Sequence, residues 1–297
     1  MRKLLIALAV LFISIQSEAA TVYERVLDKS FFNNDLKKAQ SMIKKGAKIT
    51  AVGNRIWYNH PSYKQVKFLI DNGYPLKSDS YCILNEILNE KNPVKDLFRK
   101  TKLLVDNGVD MTCENVNPEY HEKPLIFRIV SLSHYNMIKE RKKAIYYVLS
   151  KMNKKQINSK FQVNEYNLNG SFDYVKYYEK ALNVLATTNN QFNRKIFKLL
   201  INKGTTIDEP IYISPKKKGS YYPPNGKYYP INQAIDMGSL ELVKFCLNKK
   251  ANPNVMYTHK NEEYNALDYA HLKNQDDIEM YLLDKGLKYH YYSKLNK

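Results

Sequence analysis

The chain has 297 residues, a length that admits one elongated array or two ordinary domains. Its 47 Lys and Arg against 29 Asp and Glu leave a formal net charge of +18, which favours acidic partners and speeds encounter with them. Three cysteines are too few for a disulfide framework, so stability has to come from packing.

At the N-terminus, Arg2 and Lys3 precede an apolar run over residues 4–15 (LLIALAVLFISI), and Ser17 and Ala19 set small side chains just before Ala20. That is the layout of a secretory signal peptide over residues 1–19. The run falls short of the ~20 residues that span a bilayer, and no later stretch is apolar enough to do so. No Cys follows it, so no lipoprotein anchor is indicated. The expectation is export to the periplasm or the medium, with the folded part over residues 20–297 and no transmembrane segment after cleavage.

Along that folded part a phrase of about eleven residues recurs. It appears weakly as AQSMIKKGAKI over 39–49, then as VKFLIDNGYPL over 66–76 and TKLLVDNGVDM over 101–111. Further copies are IFKLLINKGTT over 196–206, VKFCLNKKANP over 243–253 and IEMYLLDKGLK over 278–288. Each has the period of a helix that buries one side; in the second copy Val66, Leu69 and Ile70 share a face. A polar pair and Gly then end the helix, because Gly tolerates the left-handed backbone just past a helix terminus. Gly46, Gly73, Gly108, Gly204 and Gly286 hold this place, whereas Lys250 stands where the fifth copy should carry Gly.

A second helical pattern lies upstream of several copies: KPLIFRIVSLSHYN over 123–136, YPINQAIDMGSLE over 229–241 and YNALDYAHLKNQDD over 264–277. A short first helix is expected around residues 55–59, and a long unit with its second helix over 142–152. In a further unit, residues 177–187 form the first helix and 193–202 the second. One ring of each of the pairs Tyr146-Tyr147 and Tyr177-Tyr178 then faces a core and the other faces out.

These patterns resemble the ankyrin repeat. Pro230-Ile231-Asn232-Gln233-Ala234 and Lys123-Pro124-Leu125-Ile126 match the opening of its first helix, and 265–270 (NALDYA) matches without Pro. Residues 237–243 (MGSLELV) match its middle, and 249–254 (KKANPN) its end. Gly73 to Gly108 is 35 positions and Lys250 to Gly286 is 36, close to the family's ~33. Gly46 to Gly73 is only 27, and Gly204 to Lys250 is 46. The resemblance implies an all-α, helical-repeat solenoid with extended hairpin fingers and about seven repeats, the last two being the most specific. It also implies stability summed over neighbouring units, with residues 289–297 capping the C-terminal end.

The surplus before Lys250 falls at 210–230, where residues 212–229 read YISPKKKGSYYPPNGKYY. Lys216, Lys217 and Lys218 precede Gly219, and Tyr221-Tyr222 and Tyr228-Tyr229 flank the turn signal Pro223-Pro224-Asn225-Gly226. An elongated hairpin is expected. One reading makes Lys216, Lys217, Lys218, Tyr221, Tyr222, Tyr228 and Tyr229 a partner-binding loop, since Tyr combines rigid contact area with a hydroxyl. The other makes it a solvated insertion whose tyrosines pair with one another.

No catalytic constellation is present: there is no Gly-x-Ser-x-Gly elbow, phosphate loop or His-Glu-x-x-His. Six scattered His and three isolated Cys do not make a zinc set, so no metal, cofactor or enzyme activity is expected. Cys246 sits in an apolar helical phrase and reads as a small core residue; the spacing of Cys82 and Cys113 leaves a bridge between them open. His271, in the first helix of the last repeat, reads as a satisfied core residue or as one making an inter-repeat hydrogen bond.

The resemblance implies a protein that binds other proteins; a monomer is expected, and the net charge points to an acidic partner. With export, it narrows to an immunity protein that neutralises a toxin by covering its active site. The alternative is an envelope protein that binds anionic polysaccharide or lipid through Lys and Tyr. Nucleic acid is not expected, because export and the lack of a nucleic-acid fold signature oppose it.

Overall fold

The computed structural model describes residues 21–77, 82–88, 96–113, 124–132, 138–165, 175–185, 187–213, 227–259 and 262–295. The leader expected over residues 1–19 lies outside them. The chain is mostly helical and divides into two compact units, Met1–Tyr120 and His121–Lys297. No helix among the described residues is long and apolar enough to cross a membrane.

In the first unit, α1 covers residues 21–32 and α2 Leu36–Lys44, followed by a 3₁₀ turn over Ile49–Val52. Then come α3 (Arg55–Tyr58), α4 (Tyr63–Asp71), α5 (Ile83–Leu88) and α6 (Leu97–Asp106). Apolar side chains recurring at helical spacing build the core: Leu27 and Phe31, Ile56 and Trp57, Val66 and Leu69, Leu84 and Ile87, Leu97 and Leu104 are all buried. Ile70 is only half-buried, while Phe68 joins the buried face and its ring lies 5.7 Å from that of Phe31.

Polar anchors fix the helix starts. The Ser62 hydroxyl accepts from the Gln65 backbone N–H at 3.3 Å, and Gln65 Oε1 accepts from the Ser62 N–H at 2.9 Å. The same Gln65 donates Nε2 to the Phe31 carbonyl at 3.0 Å, which ties the start of α4 to the end of α1. Lys100 is wholly buried and its ammonium donates to the Pro61 carbonyl at 3.1 Å. Cys82 and Cys113 are joined by a disulfide, which settles the pairing left open by their spacing.

The second unit contains α7 (Leu125–Ser131), α8 (Lys139–Lys151), α9 (Lys154–Ile157), β1 (Lys160–Glu165) and β2 (Val175–Lys180). A 3₁₀ turn over Ala181–Val184 leads to α10 (Gln191–Asn202), β3 (Tyr212–Ile213) and β4 (Lys227–Tyr228). Two helix pairs follow. The first is α11 (Pro230–Asp236) with α12 (Leu240–Asn248); the second is α13 (Ala266–Leu272) with α14 (Asp276–Asp284), preceded by β5 (Tyr257–His259) and β6 (Glu262–Tyr264). The chain ends in α15 (Tyr292–Leu295).

Strands β1 to β4 form one antiparallel sheet in sequence order, and β5–β6 form a separate pair. Here the structure corrects the sequence reading: residues 177–187 are not a first helix but β2 followed by the 3₁₀ turn. Val175, Tyr177 and Tyr178 suit a pleated strand, and β2 finds backbone partners on both sides, in β1 and β3. Tyr177 and Tyr178 therefore lie on a strand, whereas Tyr146 and Tyr147 lie on α8, the first exposed and the second half-buried.

Helix ends throughout the described residues share one closure. After α12, the Ala251 N–H reaches the Cys246 carbonyl at 3.0 Å and the Lys250 N–H the Leu247 carbonyl at 2.8 Å. The pair Tyr74→Leu69 and Gly73→Ile70 does the same after α4, and equivalent pairs close α2, α6, α10 and α14. Gly73 sits at φ +74° and Lys250 at φ +66°, so the lysine adopts the backbone that glycine takes elsewhere.

Candidate interaction surface

The loops that lead into α11 and α13 meet through aromatic rings. Tyr228 ends β4, Tyr257 opens β5 and Tyr269 lies in the middle of α13. The Tyr228 and Tyr257 ring centroids are 5.6 Å apart, and those of Tyr257 and Tyr269 are 4.5 Å apart. Both contacts are inclined rather than parallel, the arrangement the ring quadrupole favours.

Asp236, the last residue of α11, holds this stack. Tyr269 donates its hydroxyl to the carboxylate at 2.8 and 2.9 Å, Tyr228 donates to Oδ2, and the Lys273 ammonium pairs with Oδ1 at 2.7 Å. Lys273 also lies over the Tyr269 ring, 5.1 Å from its centroid. Burial, and then the Asp236 charge, push the Tyr228 and Tyr269 hydroxyls well above the ordinary tyrosine range. Both hydroxyls therefore keep their protons at neutral pH and donate them to the Asp236 carboxylate. Among the described residues no three His, Cys, Asp or Glu side chains converge as a metal set would require.

The helices under this surface start on matched polar anchors. Asn232 Oδ1 accepts from the Tyr229 N–H at 3.1 Å, and Asp268 Oδ2 from the Asn265 N–H at 3.1 Å. Gln233 donates Nε2 to the Leu185 carbonyl at 2.7 Å, which fixes α11 to the turn after β2. Such second-order bonds leave the aromatic stack little freedom to rearrange.

Of the seven residues expected to bind a partner, Lys216, Lys217, Lys218, Tyr221 and Tyr222 lie outside the described residues. Tyr228 and Tyr229 lie inside them and are packed: Tyr229 is 8 % exposed, and Tyr228 gives its hydroxyl to Asp236. These two support the base of the loop rather than offer a free face. Lys227 and Tyr228 pair with Ile213 and Tyr212, so the strands on either side of 214–226 are antiparallel.

Sequence reasoning missed Asp236, Tyr257, Tyr269 and Lys273. Asp236 and Tyr269 stood inside the quoted helical phrases, yet 33 positions separate them and no local period links them. His271 is half-exposed, and its Nδ1 is 3.1 Å from Glu279 Oε1 on α14, so its bond lies within one helix pair and the residue is neither core nor a link between repeats. Cys246 is fully buried, and burial pushes its thiol far up. No protein-family model matches the chain, and no curated protein matches it.

Proposed function

We propose that this is an exported protein of ankyrin-like helix pairs whose work is to bind another, acidic protein, through the loops entering α11 and α13 and the residues 214–226 between β3 and β4. The observation that carries the reading is the Asp236-locked stack of Tyr228, Tyr257 and Tyr269, which joins the bases of two successive loops into one preorganised platform. Recognition residues concentrate on loops held by a rigid scaffold, and a platform of this kind lowers the ordering cost of binding. The net charge of +18 supports an acidic partner. The Cys82–Cys113 bridge supports a periplasmic or secreted location, because such bonds persist in oxidising compartments.

The narrower form of the proposal is an immunity protein that covers the active site of a toxin. Its test is capture of a partner from periplasm and culture medium by the purified exported chain at moderate salt. The expected result is one dominant acidic protein, whose hydrolytic or toxic activity falls when it is bound. A chain with Lys216, Lys217, Lys218, Tyr221 and Tyr222 all replaced by Ala should lose that capture while unfolding at the same temperature. Failure to retain any protein above a charge-matched control would sink the reading.

A further inference from the structure

A second surface lies on other elements of the same unit. Helices α8 and α10 border an open groove of about 970 Å³. Lys139, Lys142 and Lys143 line one wall, Lys195 and Lys198 the other, and no carboxylate lines it. Lys143 pairs with Glu140 at 2.8 Å, and Lys198 shares Glu241 with Arg194. Lys139, Lys142 and Lys195 have no carboxylate partner among the described residues. The rest of the lining is mainly apolar, with Phe192 and Leu199 half-buried and Tyr146 43 % exposed, and the amides Asn190, Gln191 and Asn202 complete it. The Lys142 ammonium stands 5.8 Å from the Phe192 ring centroid.

The walls are fixed to each other. Lys203, which caps the end of α10, donates its ammonium to the carbonyls of Ser150 and Met152 at the end of α8. At the other end, Asn190 caps α10 by accepting from the Asn193 N–H at 2.9 Å, and the positive N-terminus of α10 borders the groove. The groove is thus a standing feature in which apolar side chains lie among lysines, and of these Lys139, Lys142 and Lys195 face no carboxylate among the described residues.

We infer that this groove binds an acidic amphipathic helical segment of a protein. Apolar side chains on one face of such a helix would cover Phe192, Leu199 and Tyr146, while Asp or Glu on its flanks would meet Lys139, Lys142 and Lys195. Charge complementarity selects the acidic partner, and the apolar side chains select a peptide over a bare polyanion, which has nothing to bury there. The inference rests on elements separate from the tyrosine platform, so loss of binding at one surface leaves the other intact.

The test uses fluorescence anisotropy with a labelled peptide carrying Leu at i, i+3, i+4 and i+7 and Glu elsewhere. Its controls are a scrambled peptide of the same composition, polyglutamate, and phosphatidylglycerol vesicles. The patterned peptide should bind at least about tenfold more tightly than the scrambled one, and Lys142→Glu/Lys195→Glu should weaken it by about tenfold or more. Lys139→Glu/Lys195→Glu is the second variant; Lys139 and Lys195 are both exposed, and a Glu in the first turn of α8 suits the helix dipole. Phe192→Ala should weaken the patterned peptide and leave polyglutamate unchanged. Equal affinity for the two peptides, indifference to charge reversal, or no binding up to about 1 mM overturns the inference. Binding of polyglutamate or vesicles as tight as that of the patterned peptide also overturns it, and assigns the groove to polyanions.

Discussion

The Asp268 carboxylate, buried in the first turn of α13, accepts the backbone N–H of His290 at 3.1 and 3.0 Å. It also accepts from Tyr291 at 3.1 Å and from Tyr292 at 3.4 Å, while still closing its own helix start through Asn265. One side chain therefore caps α13 and holds the C-terminal segment across it. Asn265 adds a bond in the same direction, donating Nδ2 to the Lys288 carbonyl at 2.8 Å. Replacing Asp268 by Ala orphans several donors at once and should cost about 2–3 kcal/mol in urea unfolding. Amide exchange at residues 290–292 should accelerate along with it. Unaltered protection there would show that the tail is held by its rings alone.

Lys250 offers a change in the opposite direction. Its φ of +66° carries a steric cost that a Cβ imposes in the left-handed region. Lys250→Gly should therefore stabilise the chain by about 1 kcal/mol despite the extra freedom of the unfolded state. Gly73→Ala is the mirror experiment: a Cβ there meets nothing within 4 Å, so the expected loss of about 1 kcal/mol is purely conformational. Calorimetric melts of the two variants should move to opposite sides of the parent. Movement in the same direction would refute a shared backbone origin.

These helix ends were legible in the sequence because their cause is local: an apolar period, a polar pair and one residue in the left-handed region. The strand β2 was not. Tyr177, Tyr178 and Ala181 fit a helical period on paper, and pairing with residues 160–165 and 212–213 decides the matter. The Asp236 platform was hidden for the same reason, since Tyr228, Tyr257, Tyr269 and Lys273 reach it from three elements. The lysines of the α8–α10 groove read as dispersed charge, being about fifty positions apart along the chain. Of the expected loop residues, Tyr228 belongs to the stack and Tyr229 is buried.

The disulfide makes the first unit sensitive to redox conditions. Cys82 and Cys113 are 31 positions apart, and opening a loop of that size should cost about 3–4 kcal/mol in the loop-entropy treatment. Cys82→Ser/Cys113→Ser, or reductant added to the native chain, should lower the unfolding midpoint of that unit. Cys246 should behave differently: buried and with its thiol pushed up, it should resist alkylation until the second unit unfolds. Rapid labelling of Cys246 in the native state would contradict its burial.

High pH tests the aromatic platform. Tyr228 and Tyr269 have folded pKa values raised above the unfolded value of about 10, chiefly by burial and then by the Asp236 charge. Burial also pushes Tyr264 up to about 12, and the hydrogen bond to Glu279 pushes Tyr289 up to about 12. For an acid whose folded pKa is raised, the folded state keeps its proton longer than the unfolded state does. Its stabilising contribution is complete below pH about 10 and is lost as pH climbs toward the folded value. Stability contributed by these tyrosines should thus be level from neutral pH to about 10 and decline above it. Tyr228→Phe and Tyr269→Phe should each cost about 1–2 kcal/mol at neutral pH, because Asp236 loses a donor. Each should also flatten the alkaline slope of urea midpoints, since phenylalanine has no proton to lose. Tyrosinate absorbance followed through the same titration should show these two groups ionising only as the chain unfolds. Slopes equal to the parent's would mean that burial and Asp236 together do not hold them protonated.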